Sequence, residues 1–301
     1  MMTSKPSLRR NALVTASYAP DLERCRILCE SIDRYASGYE THYILVENRD
    51  LPLFRALEGG KRKVIGERDI LPFWLKRFSD PTRKGASVWL SPFTKPLHGW
   101  HVQQLRRIAL AAIAEEDALI YCDSDTAMIR AYDFSGFWRG DALRLYRQEN
   151  GADHAQSDHK IWMHHAAEVF GDKAVAANRH NYVATFIAWR RDTVQAMCRA
   201  IEDRHGKSWV AAIGNTRKFS ECTLYGAFAD TVQGGAGHFI DEVNVCPMHW
   251  FEPAPTRAEL AAFVAGLSPR EIAVGVQSFV KLDPLMFRSA IGLERRRSDA
   301  A

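Results

Sequence analysis

The sequence predicts an α/β fold: a Rossmann-like, mixed but mainly parallel sheet flanked by helices. Two observations carry this. Between residues 12 and 122, apolar segments of strand length alternate with segments of helical period. The strand ALIYC (118–122) is apolar without alternation, as expected of a strand covered by helices on both faces.

The elements follow in order. ALVTASY (12–18) reads as the first strand. Over 20–35, Leu22, Cys25, Ile27, Leu28 and Ile32 recur at helical spacing behind Pro20 and Asp21, which predicts a helix. THYILVEN (41–48) is a second strand and KRKVIGE (61–67) a short third. Residues 76–98 mix Lys, Pro, Gly and Ser and read as a loop. Over 99–117, Val102, Leu105, Ile108, Ala109, Ala112 and Ile113 form one apolar stripe of a helix, which leads directly into the strand at 118–122. Further strands are expected at 142–146, 180–192 and 237–245, and helices at 192–204, 220–232, 256–266 and 283–297. Nothing rich in Pro, Gly and Ser divides the halves, so residues 1–301 are expected to form a single domain.

Composition narrows the function. The chain has 301 residues, of which 25% are charged, and a net charge of +4; no stripe of Arg and Lys interleaved with aromatics appears, so no nucleic-acid partner is expected. Arg295, Arg296 and Arg297 read as a solvated tail, with peripheral contact to anionic lipid as the alternative. No apolar run reaches the ~18 residues that span a bilayer, and the apolar stretch after Lys5, Arg9 and Arg10 is short for a signal peptide. The expected location is cytoplasmic, with a peripheral place at the inner membrane face as an option. The six cysteines form no CxxC pair, and Cys25 and Cys29, one helical turn apart, lack a second pair to complete a zinc site; buried free thiols are expected.

The stretch that carries chemistry is YCDSDT (121–126), where a buried strand ends in Asp123 and Asp125. In open α/β sheets, ligands bind outside the carboxyl ends of strands. Three readings stand side by side. Asp and Ser are common in turns, where their side chains bond local N–H groups. A phosphatase nucleophile of the haloacid dehalogenase kind wants Thr or Val at the fifth motif position, which is Ala127 here, and uses the first strand of its domain. The third reading is a Mg²⁺ or Mn²⁺ ion holding a diphosphate, since these ions take one or two carboxylates with phosphates and waters. In an extended segment both aspartates would face one site, with Ser124 turned away.

Taken with GWHVQQL (99–105), ATFIAWRRD (184–192) and FSECTLYGAF (219–228), this motif resembles a bacterial family known as a domain of unknown function and described as glycosyltransferase-like. The resemblance runs from about residue 17 to 250. In layout it is similar to the GT-A fold of nucleotide-sugar transferases, and within that fold to the glycogenin and lipopolysaccharide galactosyltransferase group. It implies a nucleotide-binding half at about 10–130, an acceptor-side half at about 131–255 and a helical tail at about 256–301.

The resemblance also implies roles. Asp123 and Asp125 match the metal and nucleotide motif. Glu221 stands where that group carries an acidic cluster facing donor sugar and acceptor, although only one acid is present here. His249 is the candidate third metal ligand, without the Gly and Lys that follow it in that group. Gln103 and Gln104 are expected in the donor pocket. Trp100 and His101 open their helix, where free N–H groups can hold an anion, and Lys95 is near enough to assist a diphosphate. Trp189 is a candidate to stack on a sugar, Arg190 to clamp phosphate or acceptor, and Tyr225 to share the face of Glu221, each with a structural role as the alternative.

The expected function is a metal-dependent glycosyltransferase. It would move a sugar from a UDP- or GDP-linked donor, with Mn²⁺ or Mg²⁺, to a carbohydrate or lipid-linked acceptor, as in bacterial surface polysaccharide synthesis; retention of configuration is favoured by analogy alone. The rival is a non-catalytic sugar-nucleotide or glycan-binding protein of the same fold. A metal-dependent phosphohydrolase is the third possibility.

Overall fold

A computed structural model describes residues 9–83, 85–153, 158–216 and 218–293. The elements that build the site are β1 (Asn11–Ala16), α1 (Leu22–Tyr35), β2 (Thr41–Val46), β3 (Arg62–Gly66), α2 (Gly99–Ala109), β4 (Ala118–Tyr121), β5 (Thr126–Met128), α3 (Asp158–Phe170), β6 (Ile187–Arg190), α4 (Arg191–His205), α5 (Glu221–Ala227), β7 (Met248–His249) and β8 (Ala273–Val276). The main sheet has the order β6-β4-β1-β2-β3, parallel except for β6, which runs antiparallel to β4. This is the Rossmann-like α/β architecture. β6 comes from the second half of the sequence, so both halves build one sheet.

Alternation places the side chains. Leu119 and Tyr121 of β4 join Ala12 and Val14 of β1 on one face, against Val102, Leu105 and Ile108 of α2 and Val194 and Met197 of α4. Ile120 and Cys122 join Leu13 on the other face, against Leu28 and Ile32 of α1. Both faces are dry, which is why β4 shows no polar alternation. Truncating Ile120 to Ala would cost about 2–5 kcal/mol by the usual cavity argument.

The chain leaves β1 towards β2 and β3, then returns to the other side for β4. The reversal opens a crevice at the carboxyl ends of β1 and β4, the place where such sheets hold ligands. A second, small sheet of order β7-β8-β5 brings the C-terminal region to the same place: Gly275 pairs with Thr126, directly after the aspartates.

Several expectations need correction. Residues 76–98 are not a loop but an antiparallel meander of Lys76–Ser79, Ser87–Leu90 and Leu97–His98. Trp89 and Leu97 bury one face of it, the other is buried only at Val88, and its strands are too short for a periodic signal. The helix expected over 99–117 ends at Ala109 and tightens into a 3₁₀ turn at Leu110–Ala112. The strand expected over 180–192 is confined to β6. Helix α3 and strand β8 were not anticipated; α3 carries several histidines and charges among its apolar residues, and β8 is a four-residue AVGV segment. Arg295–Arg297 lie outside the described residues. All six cysteines are free, and all but Cys198 are buried. Among the described residues, no helix is long and apolar enough to cross a membrane.

Candidate functional site

A cleft of about 550 Å³ lies over the carboxyl ends of β1, β2 and β4. Asp123, Asp125, Gln103, Gln104 and Glu221, named from sequence, all line it, together with Arg106 and Arg107. Its size and mixed polar and aromatic walls suit a small-molecule ligand.

The aspartates sit on a tight turn between β4 and β5. The Thr126 N–H donates to the Asp123 carbonyl at 3.2 Å, and the Thr126 hydroxyl donates to the same oxygen at 2.7 Å. The segment is therefore not extended, and Ser124 lines the cleft as well. The turn still brings both carboxylates to one cleft. It is held from two sides. The Asp123 N–H donates to Thr185 Oγ1 at 3.0 Å, and the Ser278 N–H donates to Asp125 Oδ2 at 2.9 Å. Thr185 is followed by Phe186 at φ 54°, a left-handed conformation that a bulky residue adopts only when its surroundings impose it. Phe186 is wholly buried and its ring stacks on Phe134 at 6.1 Å, which supplies that constraint.

Asp125 is 7% exposed, and its Oδ1 is buried without a hydrogen-bond partner. Burial first, and then the Asp123 charge, push its carboxyl up to about 7. A buried carboxylate with an unused oxygen beside a second, more exposed carboxylate is a hard-oxygen donor set. It fits Mg²⁺ or Mn²⁺ completed by phosphate oxygens and water. No group of three His, Cys, Asp or Glu with metal-ligand geometry occurs among the described residues.

Opposite the aspartates, Glu221 opens α5 behind the cap Ser220, whose Oγ accepts the Thr223 N–H at 3.3 Å. The Glu221 carboxylate is buried and paired to Arg107 at 2.8 Å, while Arg107 also reaches Asp123 at 3.5 Å. Burial pushes the Glu221 carboxyl upward and Arg107 opposes this. The Arg107 guanidinium lies over the Tyr121 ring at 4.8 Å, which fixes its plane. Gln104 Oε1 accepts the Glu221 N–H at 2.9 Å, tying α2 to α5. Arg106 is 2% exposed, and its Nε and Nη1 are buried without partners. Burial lowers its pKa, partly offset by Glu67, Glu47 and Asp50. Donors left open in a cleft wall suit an anion or a carbonyl edge.

A sequence profile described as a family of unknown function, DUF6492, matches residues 11–259. The chain belongs to this family. The matched region holds every cleft residue named above except Ser278. No curated protein matches the chain.

Other expected site residues lie elsewhere. His249 is outside the cleft lining, and its Nε2 is bonded to the Phe251 carbonyl at 2.8 Å. Lys95 is exposed at the end of the meander, also outside the lining. Trp189 is in the core, stacked on Tyr225 at 4.8 Å, because the register of β6 against Leu119 turns it inward. The Arg190 guanidinium is engaged with Asp192 at 2.7 Å, and the Arg190 backbone N–H donates to the Tyr225 hydroxyl at 2.7 Å. Tyr225 is fully buried, with its hydroxyl also 2.7 Å from His238 Nε2. These three brace β6 against α5. The aromatic walls of the cleft are instead Tyr18, Trp100, Trp162 and Trp250. His101 is buried, and its Nδ1 accepts the His98 N–H at 3.4 Å at the start of α2.

Sequence reasoning missed Arg106 and Arg107. Their signal was present: Trp100, Gln103, Gln104 and Arg107 fall at helical spacing on the side of α2 opposite its apolar stripe, with Arg106 beside them.

Proposed function

We propose that this protein is a metal-dependent glycosyltransferase that uses a nucleotide-diphosphate sugar and a carbohydrate or lipid-linked acceptor, as the resemblance to GT-A transferases implies. The observation that carries the reading is the Asp125 carboxylate, buried with an unpartnered Oδ1 beside Asp123 in the same cleft as Glu221 and Arg107.

Asp123 and Asp125 would hold the divalent cation. When bound, it supplies positive charge that neutralises the leaving diphosphate. The remaining work falls to the chain itself. Arg106 offers its open guanidinium donors, and Gln103 stands beside it on the same helix. Arg107 bridges Asp123 and Glu221, so the position of the acid is coupled to that of the metal-binding turn. Glu221 is the acidic group on the reactive side. There it orients donor hydroxyls or receives the proton of the acceptor hydroxyl as the anomeric C–O bond to the diphosphate breaks and the new glycosidic bond forms. Trp100, Trp162 and Trp250 offer aromatic faces of the kind that pack on the C–H face of a pyranose, and they restrict water.

The deciding experiment is calorimetric titration of UDP and of GDP, with and without Mn²⁺, into wild type and Asp125→Asn. The expected result is Mn²⁺-dependent binding of one nucleotide, lost in the variant. Equal affinity in wild type and variant would reject the reading. Binding without transfer or donor hydrolysis across an acceptor panel would point to the binding-protein alternative.

A further inference from the structure

The meander at 76–98 covers the core with one face and leaves Lys76, Phe78 and Leu90 exposed on the other. Trp89 and Leu97 are buried, and Arg77 is held by Glu47 at 3.0 Å. In the antiparallel register, Lys76 lies opposite Leu90 and Phe78 opposite Val88, so these side chains share one face, on which Lys76, Phe78 and Leu90 are exposed and Val88 is buried. Phe73 joins them, its ring 5.9 Å from the Lys76 ammonium. Phe93 follows Leu90 and meets Trp74 edge-on at 5.2 Å. Exposure is 83% for Phe73, 54% for Phe93, 50% for Phe78 and 40% for Leu90. Contiguous exposed apolar residues of this kind mark interaction sites.

The charge on this segment is one-sided. Lys76, Arg83 and Lys95 are exposed. The one acid in residues 71–98 is Asp80, which is buried and turned to the Thr82 N–H and hydroxyl at 2.8 and 2.7 Å. Protruding aromatic rings ringed by uncompensated cations are the chemistry of an anionic interface: the rings enter the headgroup boundary and the cations meet the phosphates.

We propose that this face docks on an anionic phospholipid surface. A second copy of the chain is a poor occupant, because the segment offers no exposed carboxylate to pair Lys76 and Lys95 across an isologous contact. A fluid headgroup layer accepts isolated rings at any spacing, with no pocket required for each. The last meander strand runs directly into α2, whose first turn, Gly99 and Trp100, lines the cleft. Docking would therefore set the cleft close to the lipid surface, within reach of a lipid-carried substrate. The docking itself does not rest on the transferase reading.

The test is co-sedimentation of the full chain with vesicles of phosphatidylglycerol and phosphatidylcholine, and with phosphatidylcholine alone. Wild type is expected to partition only onto the anionic vesicles, and less as salt rises. Lys76→Gln with Lys95→Gln should weaken this about 30-fold, roughly a factor of five for each lysine. Phe73→Ser with Phe78→Ser and Phe93→Ser should abolish it. All these side chains are exposed, and matching circular dichroism and melting would show that each variant folds. A separate full-length variant, Arg295→Gln with Arg296→Gln and Arg297→Gln, isolates the basic tail. No partition, or partition lost in the tail variant and unchanged in both face variants, overturns the proposal. So does a dimer dispersed by the Phe substitutions in a protein that ignores vesicles, which would give the face to a second copy.

Discussion

Replacing Asp125 with Asn in metal-free protein measures how strongly the cleft resists a second negative charge. Burial and Asp123 raise the Asp125 carboxyl from 3.8 to about 7, while the unfolded chain titrates near the ordinary value. The stability associated with the protonated form is complete below about pH 3.8. It is lost progressively as pH rises, and the loss is complete above about pH 7. At about 1.36 kcal/mol per pKa unit the total is roughly 4 kcal/mol. Asparagine can still accept the Ser278 N–H, but it places an amide where Oδ1 had no partner, at about 1–3 kcal/mol. The variant should therefore be more stable than wild type at pH 8 by about 2 kcal/mol, and less stable at pH 4 by a similar amount. For a chain of this size, that is a crossover of roughly 4 °C in Tm at each end. Thermal melts followed by circular dichroism in EDTA, from pH 4 to 8, read it directly. Mn²⁺ should then raise the wild-type midpoint and leave the variant unmoved. A difference in midpoint that stays constant across the pH range would show that Asp125 is not held protonated, and would remove the electrostatic basis for a cation at this turn.

Three other outcomes follow from the same geometry. Arg106→Met should lower nucleotide affinity at least tenfold by calorimetry, because it removes guanidinium donors that no protein group engages. Unchanged affinity would place the ligand elsewhere in the cleft. Gln104→Leu should cost about 1–3 kcal/mol, since the Glu221 N–H loses its acceptor, and an unaltered unfolding midpoint would mean that water replaces the amide. Burial of His165 lowers its imidazole to about 4, so the stability it contributes is complete above about pH 6.5 and is lost as pH falls to 4. That loss is about 3 kcal/mol at one pKa unit per 1.36 kcal/mol, and His165→Leu should flatten the melting profile between these limits.

The sheet was largely legible in the sequence because its strands obey local rules. β1, β2 and β4 are apolar runs bounded by helices of clear period, and a doubly covered strand requires no partner to be recognised. The placement of Asp123 and Asp125 was legible for the same reason: a carboxylate after a buried parallel strand can only emerge at the carboxyl edge of the sheet. Glu221, Gln103 and Gln104 were reached through resemblance and fell into the same cleft.

The failures share a cause. Trp189 and Tyr225 are the kind of aromatic residue that serves a sugar or a core equally well. Which it is depends on the antiparallel register of β6 against β4, set by contacts far apart in sequence. Trp162 and Trp250 line the cleft because α3 and the segment after β7 fold back onto it, and neither segment carries a local signal of its destination. The Ser278 N–H that holds Asp125 comes from 153 residues away, through the pairing of β8 with β5. Local patterning is written by the period of one segment at a time, and so it specifies which residues are strand, helix or buried. The contents of the cleft, including the open guanidinium of Arg106 and the orphaned oxygen of Asp125, depend on which groups long-range packing leaves without a partner, and no window of sequence holds that information.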